Sequence, residues 1–140
     1  MRSSIASNQG ERNRTVLIVL ILLSVTLAAL AQLTLKTGVN RVTSGTGGQA
    51  LQITGASLKS LLTSPVVWAG LLMFGLSAVV WLFALSRATL SFAYPFASLS
   101  YVLILIFGRY VLHEQVTPLR LLGVALIIGG IVLVAQTPHT

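Results

Sequence analysis

The sequence predicts an all-α membrane protein folded as one four-helix bundle, and three observations lead there. Of 140 residues, 55% are hydrophobic and only 8% are charged, against about 25% charged in a typical soluble domain. Mean hydropathy is +0.92. Four stretches approach or exceed the roughly 20 apolar residues that cross about 30 Å of hydrocarbon as a helix. Their apolar residues run continuously instead of alternating, which fits helices and not the strands of a membrane barrel.

The first span is read over residues 16–35, between Arg14 and Lys36. The second covers 66–85, with Pro65 at the first-turn position where a missing N–H costs nothing. A third, 91–112, contains one charge, Arg109, near its end, and Pro95 is expected to loosen it near its start. The fourth, 119–135, starts behind Pro118. Residues 1–14 form a polar tail expected to be disordered, ahead of a transmembrane domain over 15–140. Residues 36–64 form the longest connection, and Ser44 to Gly48 within it has the composition of a flexible linker. Gly55–Thr63 reads as a short amphipathic helix at the interface. The two other connections are short, so consecutive spans are antiparallel neighbours.

Function classes drop out early. Without cysteine there is no disulfide scaffold, thiolate metal site or thiol nucleophile. Nine Lys/Arg against two Asp/Glu give +7, but the cations are scattered and form no nucleic-acid stripe. Four (Arg2, Arg12, Arg14, Arg87) flank the terminal side of the bundle, and five (Lys36, Arg41, Lys59, Arg109, Arg120) flank the other. This near balance leaves both a single topology and dual insertion open. Neither acid, Glu11 nor Glu114, lies within a span, which disfavours an internal proton relay. His113-Glu114 reads as a turn or helix-end pair, because adjacent residues do not share a helix face.

The helices nevertheless carry patterns. In the third span Ser91, Tyr94, Ser98, Tyr101 and Arg109 fall within an arc of roughly 80° at 100° per residue. Hydroxyls, rings and a guanidinium on one face suit a sugar- or phosphate-bearing ligand; the same face also serves as helix-packing glue with a snorkelling Arg. Ser24, Ala28, Ala31 and Leu35 share a small-residue face of the first span, with Gln32 beside it and too polar to face lipid. Gly70, Ser77, Trp81 and Ala84 align in the second. In the fourth, Gly123 and Gly130 stand one heptad apart, a seam for a dimer partner or for internal packing. Lys36, Arg87 and Arg120 read as headgroup anchors that could also meet a phosphate.

Several of these residues also form a larger pattern. Trp81 to Pro95 (WLFALSRATLSFAYP), Ser98-Leu99, His113-Glu114, and Gly123 to Gly130 together resemble the four-helix unit of the drug/metabolite transporter superfamily. AQLTLK, ending at Lys36, is similar to the end of its first helix. That resemblance speaks against cleavage after Ala31, where Ala29-Leu30-Ala31 looks like a signal-peptidase site and cutting would leave three spans. Small multidrug-resistance exporters share the pattern, but their first-helix Glu corresponds to Ala28, and the nearby third-helix Trp to Ala97. The longer EamA-type permeases duplicate the unit. The small subunits of the flippase for undecaprenyl-phosphate-linked aminoarabinose are more similar, through Y-P-x-x-S-L and H-E-x-V-x-P.

The resemblance implies a flippase, or flippase subunit, for a polyprenyl-phosphate-linked sugar in the bacterial inner membrane. It would work by alternating access as a homodimer or as a heterodimer with a similar subunit. Gln32, Trp81, Tyr94, Ser98 and Tyr101 are then expected to line the substrate path, Lys36 and Arg109 to attract phosphate, and Gly123 and Gly130 to form the dimer seam. Membrane lipids are the expected surroundings; no cofactor, metal or covalent chemistry is implied. The alternatives are a small-molecule exporter lacking the first-helix carboxylate and a non-transporting subunit of a larger complex.

Overall fold

The computed structural model describes residues 2–45 and 55–137. Six helices follow in order: α1 (Arg2–Gly45), α2 (Gly55–Thr63), α3 (Pro65–Leu85), α4 (Leu90–Ala97), α5 (Leu99–Tyr110) and α6 (Pro118–Ala135). Four stretches are long and apolar enough to cross a membrane: Gln9–Ser44, Pro65–Leu85, Leu90–Tyr110 and Pro118–Ala135. The chain is therefore an all-α, multi-pass membrane protein with four spans.

Two boundaries differ from the sequence reading. The polar tail is helical and continues into α1, because no proline precedes Pro65 and nothing interrupts the ladder before the Gly-rich stretch. At about 1.5 Å per residue its 44 residues reach about 66 Å, roughly twice the hydrocarbon thickness. Residues 36–45 thus extend α1 and are not loop; the linker expected at Ser44 to Gly48 falls, from residue 46 onward, outside the described residues.

The third span is split at Ser98 into α4 and α5. Pro95 has no N–H to give its own helix. The ladder tightens there: the Ser98 N–H donates to the Pro95 carbonyl at 3.2 Å, and the Ser98 hydroxyl donates to that same oxygen. The span ends at Tyr110, and His113, at φ 54°, turns the chain. Pro118 then opens α6, where the Thr117 hydroxyl accepts the Arg120 N–H at 3.4 Å. At the other corner the Trp68 indole donates to the Leu62 carbonyl at 2.7 Å and ties α2 to α3.

The closest helix pair is α1 with α3. A Cβ built on Gly70 would lie 2.7 Å from Leu35 Cγ and 3.1 Å from the Leu35 backbone nitrogen, and one on Gly38 would lie 3.1 Å from a Val67 methyl. Only glycine allows this approach. The residues of α3 that become buried are Gly70, Ser77 and Ala84, one per heptad. Beyond the glycines a compact core gathers toward the terminal end of the bundle. Leu17, Ile21 and Val25 meet Ala84, Phe92, Ala93 and Phe96 there, with Ile131 and Val134 of α6 against them. The Arg14 guanidinium donates to the Ala135 carbonyl and so caps the C-terminal end of α6.

The opposite end is held by charge. Lys36 pairs with Glu114, whose backbone N–H donates to the Gly108 carbonyl at 3.0 Å. Their side chains remain 50% and 40% exposed, which places the pair in the range of weak, screened surface bridges.

Two outcomes follow. Gly70→Ala forces α1 and α3 apart and is expected to cost about 1–3 kcal/mol by thermal unfolding in detergent, whereas Gly75→Ala, with nothing within 4 Å of its Cβ position, leaves the melting temperature in place. Lys36→Gln and Glu114→Gln are each expected to cost about 0.2–1 kcal/mol, with the charge-swapped double variant regaining most of it; purely additive losses would show that the two side chains are not coupled.

Candidate functional site: a series of cavities along the first helix

One ridge of α1, at four-residue spacing, runs from buried Ser24 through half-buried Ala28 to exposed Gln32 and Lys36. This ridge borders two cavities in line. The inner one, about 190 Å³, is walled by Ser24 and Ala28 of α1, Ser77 and Trp81 of α3, and Ala97 and Ser100 of the split third span. The outer one, also about 190 Å³, lies between Gln32 and Lys36 of α1 and Ile104, Gly108 and Glu114 of the α5 end. Twelve residues of α1 separate Ser24 from Lys36, about 18 Å along the axis.

The inner cavity is neutral. Its three serine hydroxyls each donate to a carbonyl three residues back: Ser24 to Ile21 (2.8 Å), Ser77 to Phe74 (2.7 Å) and Ser100 to Ala97 (2.7 Å). Their oxygens keep lone pairs to offer, but none of its lining residues is a carboxylate or a cation. Such a wall suits an uncharged hydroxyl-bearing group or an apolar chain. It offers a cation no carboxylate, only the ring faces of Trp81 and Phe74, and has no carboxyl group to exchange a proton. The outer cavity is its electrostatic complement, with an amide and an ion pair beneath the bundle's end.

The sequence-predicted residues distribute over this layout unevenly. Gln32 and Lys36 do share one cavity, and Trp81 lines the other. Trp81 also meets Tyr94 edge to face, with ring centroids 6.1 Å apart. Tyr94 itself is 59% exposed and Tyr101 46%, because the inward positions of this span are taken by Phe92, Ala93, Phe96 and Val102. Ser98 spends its hydroxyl on the Pro95 carbonyl. Arg109 stands exposed in the last turn of α5, where the helix dipole favours a cation. Gly123 is half-buried and Gly130 exposed, and neither would meet another atom within 4 Å if it carried a Cβ. Ser91, Tyr94, Tyr101, Arg109 and Gly130 therefore lie on the outside of the single chain, with Ser98 and Gly123 half-buried.

Two contributors escaped the sequence reading. Ser100 sits outside the stripe, and the break at Ser98 is what brings it to the cavity. From the sequence, Glu114 reads as a turn or helix-end residue. Its charge, sequence position on the same membrane face as Lys36, and scarcity as one of two acids in the chain were signals for the pair.

Comparison with known proteins identifies the family. The pattern of the EamA-like transporter family matches residues 17–136. Over 73 residues the chain is 41% identical to the probable 4-amino-4-deoxy-L-arabinose-phosphoundecaprenol flippase subunit ArnE of Pseudomonas fluorescens strain Pf0-1, a match covering 52% of this chain and 64% of that protein. It is 43% identical over 70 residues to the protein so named in Pseudomonas savastanoi pv. phaseolicola, with 50% and 61% covered. For that of Escherichia coli K12, identity is 40% over 74 residues, with 51% and 67% covered. The match to the first two thus spans just under two thirds of their length. No solved structure matches the chain. Since the matched pattern reaches from the start of the apolar part of α1 to the end of α6, enclosing both cavities, the chain belongs to the EamA-like transporter family.

Proposed function

We propose that this protein is a flippase, or a subunit of one, for a polyprenyl-phosphate-linked sugar in the bacterial inner membrane. The observation that carries the reading is a neutral, serine-edged cavity in line with a second cavity that holds a cation. A sugar needs hydrogen-bond acceptors and ring surfaces, which Ser24, Ser77, Ser100 and Trp81 supply. The phosphate needs a cation, and Lys36 supplies one beside Gln32. The relatives' names point the same way, as subunits of a flippase for such a lipid and not as enzymes.

In this reading transport is movement of a headgroup along the α1 ridge, with the tail left in lipid. The α1–α3 pair forms one body, and the third span, split at Ser98, forms the moving wall. An approaching phosphate competes with Glu114 for Lys36, and the weakness of that exposed pair makes the exchange inexpensive. Arg109, exposed on the α5 end, adds a second cation on the same membrane face.

A second four-helix unit completes the site, either another copy of this chain or a similar subunit. Tyr94, Ser98 and Tyr101 with Trp81 would then face the partner across the path. Gly123 and Gly130 would let the two α6 helices approach along a seam that meets no side chain within the single chain.

Two experiments test this. In proteoliposomes carrying a fluorescent polyprenyl-phosphate-linked sugar, Lys36→Gln and Tyr94→Ala are each expected to slow translocation about tenfold, the kinetic equivalent of about 1.4 kcal/mol, one ordinary hydrogen bond. Unchanged rates in both, or proton-coupled uptake of small cations in place of lipid movement, would sink the flippase reading. Native mass spectrometry of protein extracted in mild detergent is expected to show a pair of four-helix subunits, and Gly130→Leu to shift it to the single chain; a pair that survives the substitution removes α6 from the interface.

A further inference from the structure

A third cavity, about 290 Å³, opens at the other end of the bundle, between the start of α1 and the turn after α3. Its walls are Asn13, Val16, Leu17, Leu20 and Arg87. Twenty-three residues of α1 separate Asn13 from Lys36, about 35 Å along the axis, so the two cationic cavities lie at opposite faces of a bilayer whose hydrocarbon is about 30 Å thick.

The two cations are in different states. Lys36 is held by Glu114. Arg87 has no carboxylate in ion-pair reach among the described residues; its guanidinium carbon lies 5.1 Å from the centre of the Phe83 ring, which orients the group without neutralising it. The other groups at this end leave it so. Arg14 is committed to the Ala135 carbonyl. Arg12 adds positive charge, and Glu11 is exposed and forms no ion pair among the described residues. A guanidinium that is oriented and, among the described residues, has no carboxylate partner, beside an amide and above an aliphatic wall, matches a tail-bearing phosphate.

We propose that the Asn13–Arg87 cavity binds the phosphate of a tail-bearing anionic lipid. Arg87 takes the phosphate oxygens through its N–H fork, the Asn13 amide completes the polar side, and Val16, Leu17 and Leu20 carry the first carbons of the tail. As a station on a transport path, the site rests on the flippase reading above. It then places an anion site at each end of the α1 ridge and makes the Arg87 end the one that accepts a headgroup without first breaking an ion pair. As a lipid-phosphate site it stands on its own geometry.

The natural absence of cysteine permits a direct test. In phosphatidylcholine nanodiscs holding the whole protein, a thiol at Val16→Cys is labelled with N-ethylmaleimide while farnesyl phosphate, farnesol or inorganic phosphate is added. At a concentration about four times its Kd, farnesyl phosphate is expected to slow labelling about fivefold. Farnesol and inorganic phosphate are expected to have little effect, and Thr15→Cys, on the adjacent exposed face, is not protected. Arg87→Gln in the Val16→Cys background is expected to abolish the protection, and Arg87→Lys to retain part of it, which separates a lost charge from a lost fold. Equal protection by farnesol, equal protection by inorganic phosphate, or protection that survives Arg87→Gln overturns the proposal. Protection without lipid translocation would refute the flippase reading and leave the site; translocation without protection would do the reverse.

Discussion

The close approach of α1 and α3 is the constraint on which the rest of the fold depends. Gly70 and Gly38 have no side chain to hold the two backbones apart, so the helices make their closest contact where Leu35, Val66 and Val67 cover the glycines. In lipid no hydrophobic force drives helices together, and packing of this kind is what remains. Once α3 is seated on one face of α1, another face is left for the third span. That span cannot follow α1 closely along its whole length because Pro95 and Ser98 break its ladder. The inner and outer cavities both border this broken span.

Charge is placed so that the ends of this groove differ. The chain has few acids, and one of them, Glu114, is spent on Lys36. The terminal end has arginines instead, one capping α6 through the Ala135 carbonyl and one oriented over Phe83. Between them the bundle interior is neutral, which avoids the cost of burying a charge in a low-dielectric medium. A headgroup carrying a phosphate would meet cations only at the two faces and uncharged walls between them. That arrangement suits passage better than tight holding, since strong binding at the centre would stop movement.

Much of the architecture was legible from composition and period. The four spans, the short α2 helix at Gly55–Thr63 and the proline-started α3 and α6 all follow from local properties of the chain. So does the small-residue stripe of α3, since Gly70, Ser77 and Ala84 are its buried residues. The site was legible only in part. Gln32 and Lys36 reach the outer cavity together, but the aromatic face of the third span lies outward, because a helix with apolar residues all round has no polarity rule to say which arc turns inward. Ser100 enters the cavity through the turn at Ser98, a local event whose size the period alone does not give. The tail differs for a related reason: polarity suggests disorder, whereas a helix already nucleated in the membrane propagates outward through polar residues, here through Gly10 to Arg2.

By itself, then, the sequence determined that this chain crosses a bilayer four times, which residues are small enough for helices to meet, and how few charges there are to place. These are properties of length, hydropathy and spacing, each readable within a single segment. The tertiary structure alone decided which faces meet. It set Ser24 opposite Ser77 and Ser100, joined Lys36 to a carboxylate 78 positions away, and left Arg87 facing a cavity with no carboxylate among the described residues. The physical reason is that every apolar face is nearly equivalent against lipid, so the choice among them is made by mutual packing of the helices and by the two ends competing for scarce counter-charge.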